Sequence, residues 1–280
     1  MKRFKKIAGL FIIFFLLCGP AYCRDIRVIS LAPSTTEILF SLGLSENEIV
    51  GITNYCNYPP QTRNIPKVGS LATVNIEKII SLKPDYVFSV GSASNPLNKS
   101  LKAAGLDVKI FNAERLDGIF LAILDIGEIT GRKDKAETLV KNMRRELQEI
   151  RDKTKSIEQP KKVYVEIWGE PITSCGRNSL VDEVITAAGG INIAGSINTL
   201  YPLLSQEFII SQDPDVILLG YMSRDQAGLK KAVASRFGWQ NIKAVKNDQV
   251  ICDISPDIFL RPGPRIVDGI AQIQKRLYGE

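Results

Sequence analysis

Two acidic residues, Glu77 and Glu207, head the same phrase written twice 130 residues apart: EKIISLKPDYVFSVG and EFIISQDPDVILLG. Aligned without gaps, the copies share Glu, Ile, Ile, Ser, Pro and Asp at equivalent places. Neither acid has the company that acid–base chemistry needs, because the chain contains no histidine. Zinc sites, haem ligation and most proton shuttling lean on imidazole, so all of these lose support together. Ser and Asp are plentiful, but the common nucleophile–base pairing cannot be assembled without a histidine. No GxGxxG follows the first strand, and there is no Walker loop, GxSxG elbow or Cys/His ligand spacing. The reading is a non-enzyme with no catalytic or metal-ligating set and no resident cofactor. An acid leading a helix can still interact with the helix dipole, worth about 0.3–1 kcal/mol. It can also meet a cationic partner, where it serves orientation and encounter rate.

The elements that would position the acids fall into two similar series. RVISLA is a β-branched strand followed by PSTTEILFSLGL, a helix that stops near Gly43. The strands IVGIT, YVFSV and VKIF follow with helical stretches between them, the pattern of an α/β lobe over residues 24–114. From about Leu116 to Lys155 the pattern is helical, interrupted at Gly131, with Leu139, Met143, Leu147 and Ile150 on one face. Residues 115–158 therefore read as a helical connector. A second α/β lobe, 159–280, opens on VYVEIW and closes on a helix from about Pro264 to Tyr278. The repeated phrase falls at a matching place in each lobe: a helix, Pro-Asp at a tight turn, then a buried strand. Asn75 and Ser205 are suitable N-caps, which puts Glu77 and Glu207 in first helical turns.

Composition adds a destination. Lys2, Arg3, Lys5 and Lys6 precede the apolar run IAGLFIIFFLLC, and Ala21 and Cys23 stand before Arg24. The run is too short to span a bilayer, which needs about 20 residues, and residues 1–23 read as a cleaved export signal. Cys18 and Cys23 are the positions for lipid anchoring, although bulky Leu17 and Tyr22 precede them. Removing the segment lowers Lys plus Arg from 36 to 32 against 30 acids, so the mature chain is nearly neutral and shows no basic stripe for nucleic acid. Cys56, Cys175 and Cys252 remain, an odd number, so at least one is unpaired or bonds to another molecule.

In order along the chain, RVISLAPSTTEILFSLG, NYCNYPP, VGS, VNIEKIISLKPDYVFS, EIWGEPITSCG, LVDEVITAAGGINIA, SQEFIISQDPDVIL and RPGPRI resemble the helical-backbone substrate-binding proteins of ABC importers. The resemblance covers essentially the whole mature chain and lies in the branch that carries cobalamin and ferric siderophores, nearest to periplasmic cobalamin-binding proteins. It implies two Rossmann-like lobes joined by one long helix, a ligand cleft between them and little lobe motion. It also implies a periplasmic protein, monomeric when free, that delivers its ligand to a permease dimer. Glu77 and Glu207 match the glutamates that meet arginines on the two membrane subunits.

For the ligand, the resemblance points to Tyr55, Tyr201, Asp257 and Arg261, with Trp168 and Phe259 as further aromatic candidates. A corrin is a broad, mostly apolar ring edged with amides, suited to aromatic walls and a few placed polar groups. Arg265, beside Pro264, reads as structural. Leu71 and Val90 are aliphatic where cobalamin binders can present large aromatics. An anionic siderophore would call for several cationic residues; Arg261 stands out, with Arg177 and Arg224 in second-lobe loops. The expected cargo is cobalamin or a related corrinoid, with a ferric siderophore or haem as the alternative.

Overall fold

The computed structural model describes residues 25–221 and 225–279. The export segment with Cys18 and Cys23, and also Arg224, lie outside the described residues.

The first lobe holds β1 (Val28–Ser30), α1 (Pro33–Ser41), β2 (Ile49–Ile52), α2 (Ile76–Ser81), β3 (Tyr86–Ser89), α3 (Pro96–Ala103) and β4 (Val108–Ile110). Its strands are all parallel in the order β2-β1-β3-β4. Helices α4 (Leu116–Ile129) and α5 (Lys133–Thr154) lead to the second lobe. That lobe holds β5 (Lys162–Glu166), a hairpin of β6 (Trp168–Gly169) and β7 (Ile172–Thr173), α6 (Leu180–Ala187) and β8 (Ile191–Asn192). It continues with α7 (Gln206–Gln212), β9 (Val216–Leu219), α8 (Gln226–Ala234), α9 (Lys243–Lys246), β10 (Val250–Ile251) and α10 (Ile266–Tyr278). Its parallel sheet runs β10-β9-β5-β8. Counting the parallel strands of each lobe in chain order, both sheets read 2-1-3-4.

The repeated phrase is one structural device used twice. Asn75 and Ser205 accept from the backbone N–H groups of Lys78 and Phe208 at 2.8 and 3.2 Å, so Glu77 and Glu207 stand second in α2 and α7. Ile79 and Ile209 are fully buried, and Ser81 and Ser211 each donate 2.8 Å back to the carbonyl three residues earlier. Both helices stop on a left-handed residue, Lys83 and Asp213, each at φ 48°. Asp85 and Asp215 then accept from the backbone N–H of Arg27, just before β1, and of Lys162, the first residue of β5. Arg27 and Lys162 return the contact by donating their side chains to the carbonyls of Leu82 and Gln212 at the helix ends. A cation there satisfies orphan carbonyls and opposes the negative end of the helix.

Helix α5 has 22 residues, about 33 Å at 1.5 Å per residue. It buries Ala136, Val140, Met143, Leu147 and Ile150, with Leu139 at the margin. The core is continuous along it, running from Val28 and Leu39 through Met143 and Leu147 to Val165 and Ile270. Alternate strand residues face away into a smaller core in each lobe: Ile29 and Val87 in the first, Tyr164 and Ile217 in the second.

Candidate functional site

In open parallel sheets, ligands bind beyond the carboxyl ends of the strands. Here those ends deliver Thr53–Tyr58 after β2, Val90 after β3, Trp168 after β5, Tyr221 after β9 and Cys252–Asp257 after β10. The lobes meet between these loops in a polar clasp. Glu37 of α1, only 2% exposed, accepts from Arg261 at 2.6 Å and from Arg265 at 2.7 and 2.8 Å. Arg261 also donates to Asp257 and to Asn57 Oδ1, at 2.5 and 3.0 Å, and Asn57 Nδ2 donates 2.9 Å to the other Asp257 oxygen. Two carboxylates and two guanidinium groups neutralise each other, and the amide of Asn57 joins them at the surface. Arg265 lies over the Tyr58 ring at 3.7 Å; its hydrogen bonds to Glu37 hold its pKa above the ordinary value.

Tyr55, 67% exposed, projects from a loop that is fixed on either side. Cys56 is buried, and its Sγ takes a hydrogen bond from Thr36 Oγ1 at 3.1 Å and lies 3.2 Å from Thr53 Oγ1. Lys67 Nζ donates to the Cys56 and Thr62 carbonyls, with its pKa lowered by burial. A small recess of about 200 Å³ lies nearby, lined by Ser34, Val90, Phe111 and Glu114 of the first lobe and Pro262 of the second.

The second-lobe wall is built on the β6–β7 hairpin. Trp168 is 60% exposed, and the segment carrying Tyr201, 59% exposed, pairs with β7 through Thr173 and Leu203. Beneath the hairpin, Glu166 is fully buried. It accepts from Tyr164 Oη at 2.9 Å, Tyr221 Oη at 2.6 Å, and Arg236 through both terminal nitrogens at 2.5 and 2.8 Å. Burial and then the Glu166 hydrogen bond push the Tyr221 phenol well above its ordinary value, so it stays a neutral donor. Trp168, Gln206, Tyr221 and Arg236 border a recess of about 630 Å³.

The structure thus joins Asp257 and Arg261 in one cluster, puts Tyr55 of the first lobe two residues from that cluster, and sets Trp168 and the segment carrying Tyr201 on the two sides of β7 in the second lobe. One expectation is corrected: Phe259 has no exposed surface and packs in the main core, so it cannot face a ligand. The short 3-10 turn Pro256–Ile258 rotates it inward while leaving Asp257 at the cleft. Arg177 lines a separate recess with Lys162, at the amino end of β5 and away from the cleft. Cys56, Cys175 and Cys252 are all free thiols. Among the described residues, no cluster of three His, Cys, Asp or Glu is arranged for a metal. Sequence reasoning missed Glu37, Asn57, Tyr58, Tyr221 and Arg236. Glu37, Asn57 and Tyr58 stand within quoted motifs, but their partners lie about 200 residues away in sequence.

Glu77 and Glu207 are both exposed. Asn75 donates its backbone N–H to Val68, which donates its own to Ile52 at the carboxyl end of β2, so Glu77 stands beside the rim that carries Tyr55. Glu207 follows Gln206, which borders the same recess as Trp168. Its own backbone N–H, and then the Ser205 hydroxyl, hold the Glu207 carboxyl below the ordinary value.

Comparison with known proteins agrees with this architecture. Residues 28–255 match the family described as periplasmic binding protein. The chain is 36% identical over 260 residues to an uncharacterized ABC transporter substrate-binding lipoprotein, YvrC, of Bacillus subtilis (strain 168), covering 90% of this chain and 80% of that one. The crystal structure of the periplasmic vitamin B12 binding protein BtuF of Vibrio cholerae aligns with a TM-score of 0.73 and 30% identity, over 90% of this chain and 96% of that one. The periplasmic heme-binding protein RhuT from Roseiflexus sp. RS-1 aligns with a TM-score of 0.80 and 26% identity, over 91% and 98% of the two chains.

Proposed function

We propose that this chain, which belongs to the periplasmic binding protein family, captures cobalamin or a related corrinoid in the cleft between its lobes and hands it to the permease of an ABC importer. The observation that carries this reading is the presence of open aromatic side chains on both lobes, Tyr55 on the first and Trp168 and Tyr201 on the second, with a neutralised polar cluster joining the lobes. In water, exposed rings of this size are an unspent apolar surface, worth about 25 cal/mol for each Å² a ligand covers. Asp257 and Arg261 take part through the clasp: each is held by the other, and exposed Asn57 presents their polarity to ligand amides. No chemistry is performed on the ligand, no resident cofactor is used, and the free protein is a monomer.

Titration with cyanocobalamin, cobinamide, a ferric siderophore and haem tests the cargo, read by calorimetry and by Trp fluorescence. Exposed Trp168 should report binding, whereas Trp239 is fully buried. Failure of both corrinoids at micromolar concentration would overturn the reading. Haem is the second reading, favoured by the likeness to RhuT. A chain without histidine would have to ligate its iron through a residue such as Tyr55 or Tyr201, which a shifted Soret band would report.

Glu77 and Glu207 dock the two lobes onto cationic residues of the two permease subunits. The duplicated caps, buried isoleucines and strand contacts support this, because they present the acids on equivalent frames. Export through cleavage after residue 23 completes the reading. The Bacillus relative is named a lipoprotein; anchoring of this chain through Cys18 or Cys23 would hold the same lobes at the membrane that carries the permease.

A further inference from the structure

Phe237 is 94% exposed, the most open large apolar side chain among the described residues. An exposed phenylalanine on a loose loop would be unremarkable, but this one is gripped on both sides. Arg236 before it is forked onto buried Glu166 and lies over the Trp239 ring at 4.6 Å. Trp239 after it is fully buried and meets Tyr164 edge-on, with ring centroids 6.0 Å apart. Between them Gly238 takes φ 81°, a left-handed turn that a side chain would strain. The backbone that carries the ring is therefore fixed, so covering the ring costs only the freedom of its own side-chain torsions.

Its neighbourhood says what covers it. A Cβ on Gly238 would lie 2.9 Å from Ile210 Cδ1, so the turn rests on α7 one helical turn beyond Glu207. Arg236 and Gln206, the residues before Phe237 and Glu207, border the same recess. The first lobe matches the acid and the aliphatic residue, Glu77 and Ile80, with Ile80 47% exposed. It closes the equivalent crossover with Ala104, Gly105, Leu106 and Asp107 and offers no aromatic there.

We infer that Phe237 is an apolar anchor of the second-lobe docking face, seated in a hydrophobic recess of one importer membrane subunit beside the cation that meets Glu207. The inference rests on the docking reading above. An exposed aromatic on a fixed backbone, next to a charge that fixes register, is the composition of an interface hot spot. A two-fold contact between copies of this chain would bring two Glu207 side chains toward one another. The two docking faces are thus unequal: both lobes bear an acid, and one alone bears the anchor.

The test measures binding of the ligand-loaded protein to the same cell's importer, in nanodiscs of phosphatidylethanolamine and phosphatidylglycerol. Phe237→Ser should weaken the complex about tenfold or more, mainly through faster dissociation, while cyanocobalamin affinity and melting temperature stay unchanged. Phe237→Trp should restore binding, and Leu121→Ser, which removes another exposed apolar residue on α4, should have no effect. Equal importer affinity for Phe237→Ser and wild type would overturn the inference. So would equal binding of the wild type to empty nanodiscs, marking a lipid contact, or a wild-type dimer in sedimentation that Phe237→Ser dissolves. If Glu77→Gln/Glu207→Gln binds the importer normally, the docking reading itself fails. If that pair loses binding and Phe237→Ser does not, the anchor alone is wrong.

Discussion

Glu37 and Arg265 stand 228 residues apart in sequence, yet two hydrogen bonds of 2.7 and 2.8 Å join them across the lobes. The carboxylate is buried in the first lobe and the guanidinium stacks on Tyr58. Removing one partner of a buried pair costs about 3–5 kcal/mol because the other charge is left uncompensated. At roughly 2–4 °C per kcal/mol for a chain of this size, Glu37→Gln should lower the melting temperature by roughly 10 °C. It should also weaken ligand binding, because Arg261 would no longer hold Asn57 and Asp257 in place. A melting temperature unchanged within about 2 °C would mean the clasp contributes little to stability.

The aromatic walls should separate binding from folding. Tyr55→Ala, Trp168→Ala and Tyr201→Ala remove exposed rings, so each should leave the melt within about 0.5 kcal/mol of wild type and reduce corrinoid affinity about tenfold. Phe259→Ala should do the reverse, destabilising the fold by about 3–5 kcal/mol through a core cavity. Calorimetry and urea unfolding on the four variants check this. Unchanged affinity in all three wall variants would place the cleft elsewhere.

Docking should fail without loss of cargo binding. Cells carrying Glu77→Gln/Glu207→Gln should lose corrinoid uptake, while the purified variant binds cyanocobalamin as well as wild type. Normal uptake would remove both acids from the interface. Since Glu207 is held below the ordinary carboxylate value, it remains anionic as pH falls through the ordinary range. Its share of importer affinity should then persist from about pH 7 to pH 5 and vanish only in stronger acid, while added salt weakens it throughout.

The thiols should differ in reach. Burial and then nearby Asp182 push Cys175 up to about 12, and Cys56 is buried. Cys252 is partly exposed, with its pKa raised by burial and then Asp253. In the chain from residue 24, Ellman's reagent should titrate Cys252 slowly in the native state and all three thiols after denaturation. Reductant should leave the melting curve unchanged. Fewer than three thiols under non-reducing denaturation would reveal a disulfide.

The lobes were legible because strand-then-helix grammar is local, and the repeat was legible because Asn75, Ser205, Pro84 and Pro214 punctuate it in sequence. The roles of Asp85 and Asp215 could be assigned only to the fold in general; that each grips the backbone where its lobe's first strand begins is a tertiary fact. Phe259 misled for a simple reason: an aromatic two residues from a cleft aspartate carries no mark of which way a short turn will rotate it. Glu37 was hidden by its surroundings, an acid in the middle of an apolar helix whose partners are brought to it only when both lobes are assembled. Phe237 gave no pattern at all, since its importance lies in the rigidity of its neighbours.

The core that runs unbroken from β1 along α5 to α10 bears on release as much as on folding. Lobes that share one packed interior cannot swing apart as separate bodies without exposing it, at about 25 cal/mol for each Å² of apolar surface uncovered. That resistance opposes a wide hinge motion, so ligand capture should draw little of its affinity into moving one lobe on the other. On the docking reading, the work of parting the rims to empty the cleft falls to the importer that holds Glu77 and Glu207.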